Sequence, residues 1–313
     1  MSLQPLISTD IWSERVQQSL DWTPYDCISS DEHFREAERQ QIASSWLQAL
    51  ADEDDYRYLD TETNTLILAE RLDWDSDFFG YTIVRLNAII GDDESTFDQT
   101  LEKWLIITKE RGVTYIMALA LPENLAFLHT LGACGFQLIE TRLTYHQQIE
   151  AVMASERYPV RHATSDDIQS LSITAREMVN PFDRFHADPY ITPYDADRMM
   201  SEWVRASIET AFADFVLVPD VKQPRGFVTV KTHQYYWDSW GIHLAQSVVL
   251  GAIAPQHKGW YYKLISESNH QLGVQGATHV FWKTQATNRP AMRTAEKLGY
   301  RLGRAECVFR LTL

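Results

Sequence analysis

Residues 256–261, Gln-His-Lys-Gly-Trp-Tyr, are the part of the sequence best suited to bind an anion. They follow an apolar, β-branched run, residues 247–254, that predicts a buried strand, and they precede a helical pattern over residues 262–272. A glycine-containing turn between a strand and a helix leaves the first N–H groups of the helix unpaired. Because these groups attract negative charge, we expect a phosphate group at Gly259, with Lys258 as a nearby cation.

A second polar turn follows the next predicted strand, residues 277–284. Asn288 opens a short helical segment there, and Gly299 ends it just before Tyr300. The chain thus has two successive sets of strand, polar turn and helix, and both turns are candidates for ligand contacts.

This succession resembles the core of the GNAT superfamily of acyl-CoA N-acetyltransferases. The turn of that family reads Gln/Arg-x-x-Gly-x-Gly/Ala. Gln256 and Gly259 match it, whereas Tyr261 stands where the family has a small residue. Asn288 matches the second family motif, but Ala295 replaces the tyrosine that in this family often protonates the leaving thiolate.

The resemblance implies that acetyl-CoA is the co-substrate. It implies a set of binding residues in the strand and the two turns, namely Leu250, Ala252, Ile253, Gln256, His257, Lys258, Gly259, Trp260, Tyr261 and Asn288. Transfer to an amine also needs a base and an acid, and we assign these roles to His243 and Tyr300. The alternatives that the sequence leaves open are His186 and His279 for the base, and Tyr261, Tyr262 or water for the acid.

Residues 184–189, Arg-Phe-His-Ala-Asp-Pro, resemble a stretch on the acceptor side of dTDP-fucosamine acetyltransferases. The resemblance implies a small amine acceptor, such as a nucleotide-linked amino sugar, bound by Arg184, His186, Asp188 and Trp240. Residues 72–80 are similar to the opening segment of such enzymes. Their aspartates lack the spacing of a calcium loop, so we predict a structural turn and no metal site.

Composition limits the remaining function classes. The 313 residues carry a formal net charge of −15, which argues against a nucleic acid or an anionic membrane as partner. The three cysteines are widely spaced, and no apolar run approaches the length of a membrane span, which favours a reducing, cytoplasmic location. A homodimer is a further expectation that the sequence leaves open.

An internal repeat organises the chain. One ungapped offset of 164 residues pairs Gly112 with Gly276, and it likewise pairs Asn124 with Asn288 and Gly135 with Gly299. We therefore predict an α/β (α+β) tandem GNAT-like fold, in which each half is a mixed, mostly antiparallel twisted sheet flanked by helices. Residues 1–150 form the first half and residues 158–313 the second, joined by a linker over 150–159.

The first half has no Gln-x-x-Gly turn. Its matching segment, residues 91–97, is acidic and repels a pyrophosphate, so we interpret this half as a degenerate copy that acts as a scaffold or shapes the substrate site. Two function classes follow for the second half. One is an acetyl-CoA-dependent N-acetyltransferase, and the other is a catalytically degenerate protein that binds CoA or another ligand as a sensor or assembly module.

Overall fold

The computed structural model describes residues 14–18, 20, 23–48, 56–149, 156–177, 180–210 and 212–313. Most of the predicted linker lies outside them. Among the described residues, the helices α1 to α9 are Glu32–Leu47, Asp73–Phe79, Phe97–Glu110, Leu125–Ala133, Ile168–Glu177, Pro193–Glu209, Trp237–Trp240, Trp260–Val274 and Arg289–Lys297. The strands β1 to β12 are Tyr58–Asp60, Thr65–Arg71, Thr82–Ile90, Val113–Ala120, Gln137–Gln148, Val160–His162, Phe215–Pro219, Gly226–Val230, Leu244–Val248, Gly251–Ile253, His279–Gln285 and Arg301–Thr312.

The chain divides into two compact units. Unit 1 comprises residues 1–26, 35–141 and 305–313, and unit 2 comprises residues 27–34 and 142–304. Most of the last strand, from Ala305 onward, therefore groups with the N-terminal part of the chain, a non-local pairing that no local sequence pattern indicates. The division of labour that we predicted between the two halves stays a prediction.

Unit 1 contains a mixed sheet in the order β1-β2-β3-β4-β12, in which only β3 and β4 run parallel to each other. Helix α3 covers this sheet because its apolar residues recur three or four positions apart, as in Leu101 and Trp104. These side chains pack against Ile116 and Ala118 of β4. The Trp104 indole N–H donates to the carbonyl of Tyr56 over 2.7 Å, which satisfies its buried polar atom.

Unit 2 contains two sets of paired strands. Strand β11 lies between β5, to which it is antiparallel, and β9, to which it is parallel. Strands β10, β8, β7 and β6 form a separate antiparallel sheet in that order. Helix α8 packs against β7, β8, β9 and β10 and contributes the fully buried side chains of Leu264, Ile265 and Leu272.

The predicted repeat is visible in the elements themselves. Helices α4 (Leu125–Ala133) and α9 (Arg289–Lys297) differ by the 164-residue offset at both ends, and so do strands β5 and β12. Gly135 and Gly299 both have a φ of 83°, so each ends its helix in the left-handed conformation that glycine adopts without strain.

Three local predictions need correction. Residues 247–254 are not one strand, because the chain bends at residues 249–250 and changes partner there. Residues 72–80 contain helix α2, where we predicted a turn, since Gly80 provides a left-handed C-cap with a φ of 76°. Residues 233–241 carry four aromatic side chains next to predicted strands, a pattern from which we expect a hairpin tip beside the site, but they form a helical connection that includes α7. None of the described helices is long and apolar enough to cross a membrane.

Candidate functional site

Strands β9 and β11 separate at their carboxyl ends. They pair in parallel from Leu244 opposite His279 to Val248 opposite Trp282. The chain then bends, and β10 pairs with β8 alone, as the edge strand of its sheet. We call the gap between β10 and residues 283–285 of β11 the strand opening. In the part of the chain that the structure describes, no strand pairs with this edge of β10, so its backbone groups are available to an extended ligand.

The predicted anion turn lies directly after β10. A single 3-10 turn over Pro255–His257 leads to Gly259, which is the N-cap of α8 and has a φ of 95°. No side chain caps this helix, so its first N–H groups lack intrahelical partners and point outward. A Cβ on Gly259 would meet no atom within 4 Å, and Gln256 and Lys258 are exposed. The turn therefore has the donors and the space that a phosphate group requires.

The predicted strand residues differ in what they can offer a ligand. The backbone N–H and carbonyl of Leu250 already bond to Thr229, over 2.9 and 2.8 Å. Ala252 is buried, and the Ile253 side chain fills the space beside Gly226. The backbone groups of Leu250 are therefore used within the protein, and its assignment to the cofactor site stays a prediction. His257 and Trp260, on the turn, are half-buried.

The side-chain oxygen of Asn288 is used to cap a helix. Asn288 is the N-cap of α9, and its Oδ1 accepts from the Ala291 N–H over 3.3 Å. Asn124 caps α4 in the same way, accepting from the Phe127 N–H over 3.1 Å. Because Asn124 belongs to the copy without an anion turn, capping alone explains why an asparagine stands at both positions.

Tyr261 and Trp282 meet at the strand opening. The centroids of their rings are 5.7 Å apart, and the Tyr261 ring also lies against Gly251 of β10, where a Cβ would come within 2.9 Å of its Cε2. Gly251 is thus the residue that lets this ring approach the strand. Trp282 is 1% exposed, and its indole N–H has no hydrogen-bond partner among the described residues. Burial raises the pKa of Tyr261, so its hydroxyl keeps its proton.

Tyr300 lies in a closed hydrogen-bond network. Its hydroxyl is 2.7 Å from Asn269 Oδ1 and 2.7 Å from the Ser247 hydroxyl, and the side chain is 4% exposed. Because Asn269 Oδ1 can only accept, the Tyr300 hydroxyl donates its proton to it. Burial raises the pKa of Tyr300. The proton that we assigned to the leaving group is therefore already used within the protein.

His243 and Trp240 are not brought to the strand opening. His243 precedes β9, and its Nδ1 bonds to the carbonyl of Gly276 over 2.7 Å, beyond the C-terminal end of α8. The anion turn is at the other end of this 15-residue helix, which is about 22 Å long. Trp240 is 2% exposed and packs on Phe34, so it has no surface for a substrate. Neither residue lies at the strand opening, and the roles that we assigned to them stay predictions. His279, paired with Leu244, lies at the same distant end.

The predicted acceptor segment begins beside β11. Asn180 Nδ2 donates to Gln285 Oε1 over 3.0 Å, which places the start of this segment at the carboxyl end of that strand. Arg184 stacks over the Phe185 ring at 4.3 Å, and Asp188 is 1% exposed with Oδ1 accepting from the Tyr190 N–H. The buried Asp188 carboxylate therefore holds the loop in place through its hydrogen bond to the backbone.

His186 is held between two carboxylates. Its Nδ1 is 2.8 Å from Asp183 Oδ2, and its Nε2 is 3.3 Å from Asp197 Oδ1. Burial by itself lowers the pKa of His186, but the hydrogen bonds and charges of the two aspartates outweigh it and raise that pKa. The raised pKa favours the imidazolium form, and with both ring nitrogens bonded to aspartates the imidazole holds the loop in place.

Gly251 and Trp282 were absent from our predicted site. An isolated glycine inside an apolar strand indicates a bulge or a close approach of another group, and this signal was present at Gly251. Nothing in the sequence indicates that Trp282 faces Tyr261, because the contact depends on the register of β9 and β11. Of our predicted residues, those of the turn lie together at the strand opening, whereas His243 and Trp240 lie away from it.

Comparison with known proteins gives the fold. No protein-family model matches the sequence, and no curated protein matches it. A GCN5-related N-acetyltransferase from Sphaerobacter thermophilus is similar over 88% of this chain and 85% of its own, with a TM-score of 0.54 at 10% identity. A tandem GNAT protein from the clavulanic acid biosynthesis pathway is similar over 97% of this chain and 94% of its own (TM-score 0.51, 10% identity).

A third structure is the glucosamine N-acetyltransferase region of a fungal multi-domain β-N-acetylglucosaminidase. The similarity extends over 97% of this chain and 37% of that protein's chain, with a TM-score of 0.58 at 11% identity. Likeness at such low identity concerns architecture alone. The chain has the tandem GNAT fold that its internal repeat predicts.

Proposed function

We propose that unit 2 transfers the acetyl group of acetyl-CoA to the amine of a small molecule, with an amino sugar, free or nucleotide-linked, as the preferred acceptor class. The observation that carries the proposal is the strand opening, which ends at an uncapped helix N-terminus with Gly259 in the left-handed conformation. An extended thioester arm and a pyrophosphate are the two parts of CoA that such a site fits.

The residues of the chain supply binding and orientation. The N–H groups at the start of α8 hold the pyrophosphate, and Lys258 adds a positive charge beside it. The edge of β10 that faces the strand opening bonds the amides of the extended arm, as an added strand would. These contacts matter because the formal net charge of −15 gives the protein no general attraction for an anion.

The acceptor side is proposed on the ordered segment after Asn180. Its start is tied to Gln285 at the carboxyl end of β11, and the contacts of His186 with its two aspartates order the loop. An amino sugar is the preferred acceptor because a solved structure with this fold is a glucosamine N-acetyltransferase region. The sequence resemblance of residues 184–189 points to the same class.

Unit 1 is proposed as a non-binding scaffold. The segment that matches the anion turn carries Asp92, Asp93 and Glu94, and Asp93 caps its own turn by accepting from the Ser95 N–H over 3.0 Å. Carboxylates at this position repel a pyrophosphate. We therefore expect one CoA bound per chain.

A second candidate is a protein with this fold that binds CoA without turnover. Two observations favour it, the Tyr261 ring at the strand opening and the buried Ala295 at the position where a tyrosine acid is expected. Under this alternative, CoA binds and no acceptor releases its thiol.

Isothermal titration with acetyl-CoA and with CoA, followed by thiol-release assays with glucosamine and a nucleotide-linked amino sugar, separates these outcomes. Saturable binding near one per chain together with thiol release supports the transferase. Binding without release from any amine supports the alternative. No binding of either compound refutes both.

A further inference from the structure

We propose that the Tyr261 hydroxyl is the acid that protonates the CoA thiolate as it leaves, an inference that rests on the acetyl transfer proposed above. The geometry points to Tyr261 because it is the tyrosine at the strand opening whose proton is not used by another side chain. Four observations support this assignment.

The first observation is that the Tyr261 ring is fixed while its hydroxyl is not bonded. The ring lies against Gly251 of β10 and against Trp282 of β11, so it touches both strands where they separate. Of the residues that the structure describes, none forms a hydrogen bond with the Tyr261 hydroxyl. The Tyr261 side chain is half-buried, and its hydroxyl is not one of the fully buried polar atoms without a partner, so the hydroxyl is accessible to a ligand atom that accepts its proton.

The second observation comes from the internal repeat. The residue that corresponds to Tyr261 in unit 1 is Phe97, which begins α3 as Tyr261 lies at the start of α8. Phe97 is buried, and its ring packs beside Gly91, with Cε1 3.1 Å from the position of a Cβ there. An aromatic ring without a hydroxyl therefore satisfies the fold at this position. The hydroxyl is an addition that only the copy with the anion turn carries.

The third observation is a second unpaired donor next to the first. The indole N–H of Trp282 is buried and has no acceptor among the described residues, and leaving such a donor unpaired is unfavourable. The Trp282 and Tyr261 rings are neighbours, 5.7 Å between centroids. Two adjacent donors without a protein acceptor fit a ligand that brings its own, as the carbonyl oxygen and sulfur of a thioester do.

The fourth observation is that the competing tyrosine is occupied. Tyr300 donates to Asn269 and also bonds to Ser247, so protonating a ligand would break a buried network. Ala295 has no proton to give.

The reaction balances with this assignment. The neutral amine attacks the thioester carbonyl, the new C–N bond forms, and the C–S bond breaks. The sulfur takes the proton of the Tyr261 hydroxyl to give the free thiol. The ammonium formed on the acceptor loses a proton to water, and the tyrosinate regains one from water. The net products are the N-acetylated amine and CoA, with no further reactant.

Tyr261→Phe is the decisive variant, because it removes only the hydroxyl and leaves the ring that Phe97 shows to be compatible with the fold. We expect kcat to fall about 100-fold, within the range of general acid catalysis, while KM for acetyl-CoA changes less than about twofold. Proton transfer in the transition state also gives the wild type a solvent deuterium isotope effect on kcat, which the variant should lose. A purely structural tyrosine would not change that isotope effect.

Tyr145→Phe is the matched control. Tyr145 is a buried tyrosine whose ring faces Trp282 from β5, at 6.4 Å between centroids, and its removal should leave kcat and the isotope effect unchanged. If wild-type protein transfers acetyl groups and Tyr261→Phe does so equally well, the inference is wrong and the proposed function stands. If Tyr300→Phe loses more activity than Tyr261→Phe, Tyr300 is the acid. If acetyl-CoA does not bind to the wild type, the proposed function and the inference both fail.

Discussion

Placing a carboxylate on the anion turn should weaken CoA binding through charge alone. The change is Gly259→Glu. The position has open space around it, with no atom within 4 Å of a new Cβ, so the added side chain displaces no neighbour. Its φ of 95° makes any non-glycine residue strained, at a cost of about 1–2 kcal/mol in the free energy of unfolding.

The size of the effect follows from Coulomb's law. A carboxylate about 7 Å from the two phosphates of a pyrophosphate, at an effective dielectric constant of about 20, repels them by about 5 kcal/mol before screening. Physiological salt has a Debye length of about 8 Å and reduces this to about 2 kcal/mol. We therefore expect the Kd for CoA to rise about 30-fold. At an ionic strength of about 1 M the rise should shrink to about twofold.

Two controls isolate the charge at this position. Gly259→Gln has the same backbone strain and nearly the same size without the charge, so its Kd should stay within about threefold of the wild type. Gly112→Glu adds the same charge at a glycine of unit 1 with a φ of 79° and equally open space. Gly112→Glu should lower the free energy of unfolding without changing the Kd. The loss should be somewhat larger than for Gly259→Glu, because Gly112 follows the C-terminal end of α3, where the helix dipole repels anions.

Titration calorimetry at two salt concentrations, with urea unfolding of each variant, measures all of these quantities. Equal Kd values for Gly259→Glu and the wild type at low salt would remove the pyrophosphate from this turn. Equal weakening by the Glu and Gln variants would mean that shape, and not charge, decides binding.

Two further predictions concern residues away from the turn. The raised pKa of His186 means that its pairing with Asp183 and Asp197 stabilises the fold fully below its unfolded pKa of about 6.5 and is lost as pH rises through the folded pKa. Urea unfolding should therefore show His186→Gln destabilised at about pH 6 and progressively less so at alkaline pH, and a pH-independent difference would contradict the ion pairs. Trp240→Ala should cost about 3–5 kcal/mol, because the side chain fills the core beside Phe34, whereas Trp240→Phe should fold with an unchanged acceptor KM. A raised KM in the folded Phe variant would return Trp240 to the substrate site.

Most helices and strands of this chain, though not α2 and α7, were predictable because their signals are local. Apolar spacing predicts α3, and the glycine and asparagine of each repeat fix the ends of α4 and α9 through capping. The anion turn was likewise predictable, since a strand, a glycine turn and a helix adjoin in sequence. The offset of 164 residues is itself enough to indicate a tandem fold, because it matches strand, turn and helix signals in both halves.

The composition of the candidate site was decided by contacts between distant segments. The apolar sequence of β9 continues into β10 without a local signal for a break. The chain bends and the gap opens because β9 pairs with β11, whereas β10 pairs with β8. His243 and Trp240 precede β9 in sequence, yet the length of α8 puts the turn at the opposite end of the unit.

The sequence determined by itself that unit 2 carries a helix start suited to an anion, because capping and turn formation involve neighbouring residues. Only the tertiary structure decided which tyrosine keeps a free proton. The sequence analysis assigns the acid role to Tyr300 and keeps Tyr261 as an alternative, but Asn269 and Ser247 converge on the Tyr300 hydroxyl and leave that of Tyr261 unbonded among the described residues. Hydrogen-bond satisfaction in a core depends on which side chains packing brings together, and no local pattern encodes it.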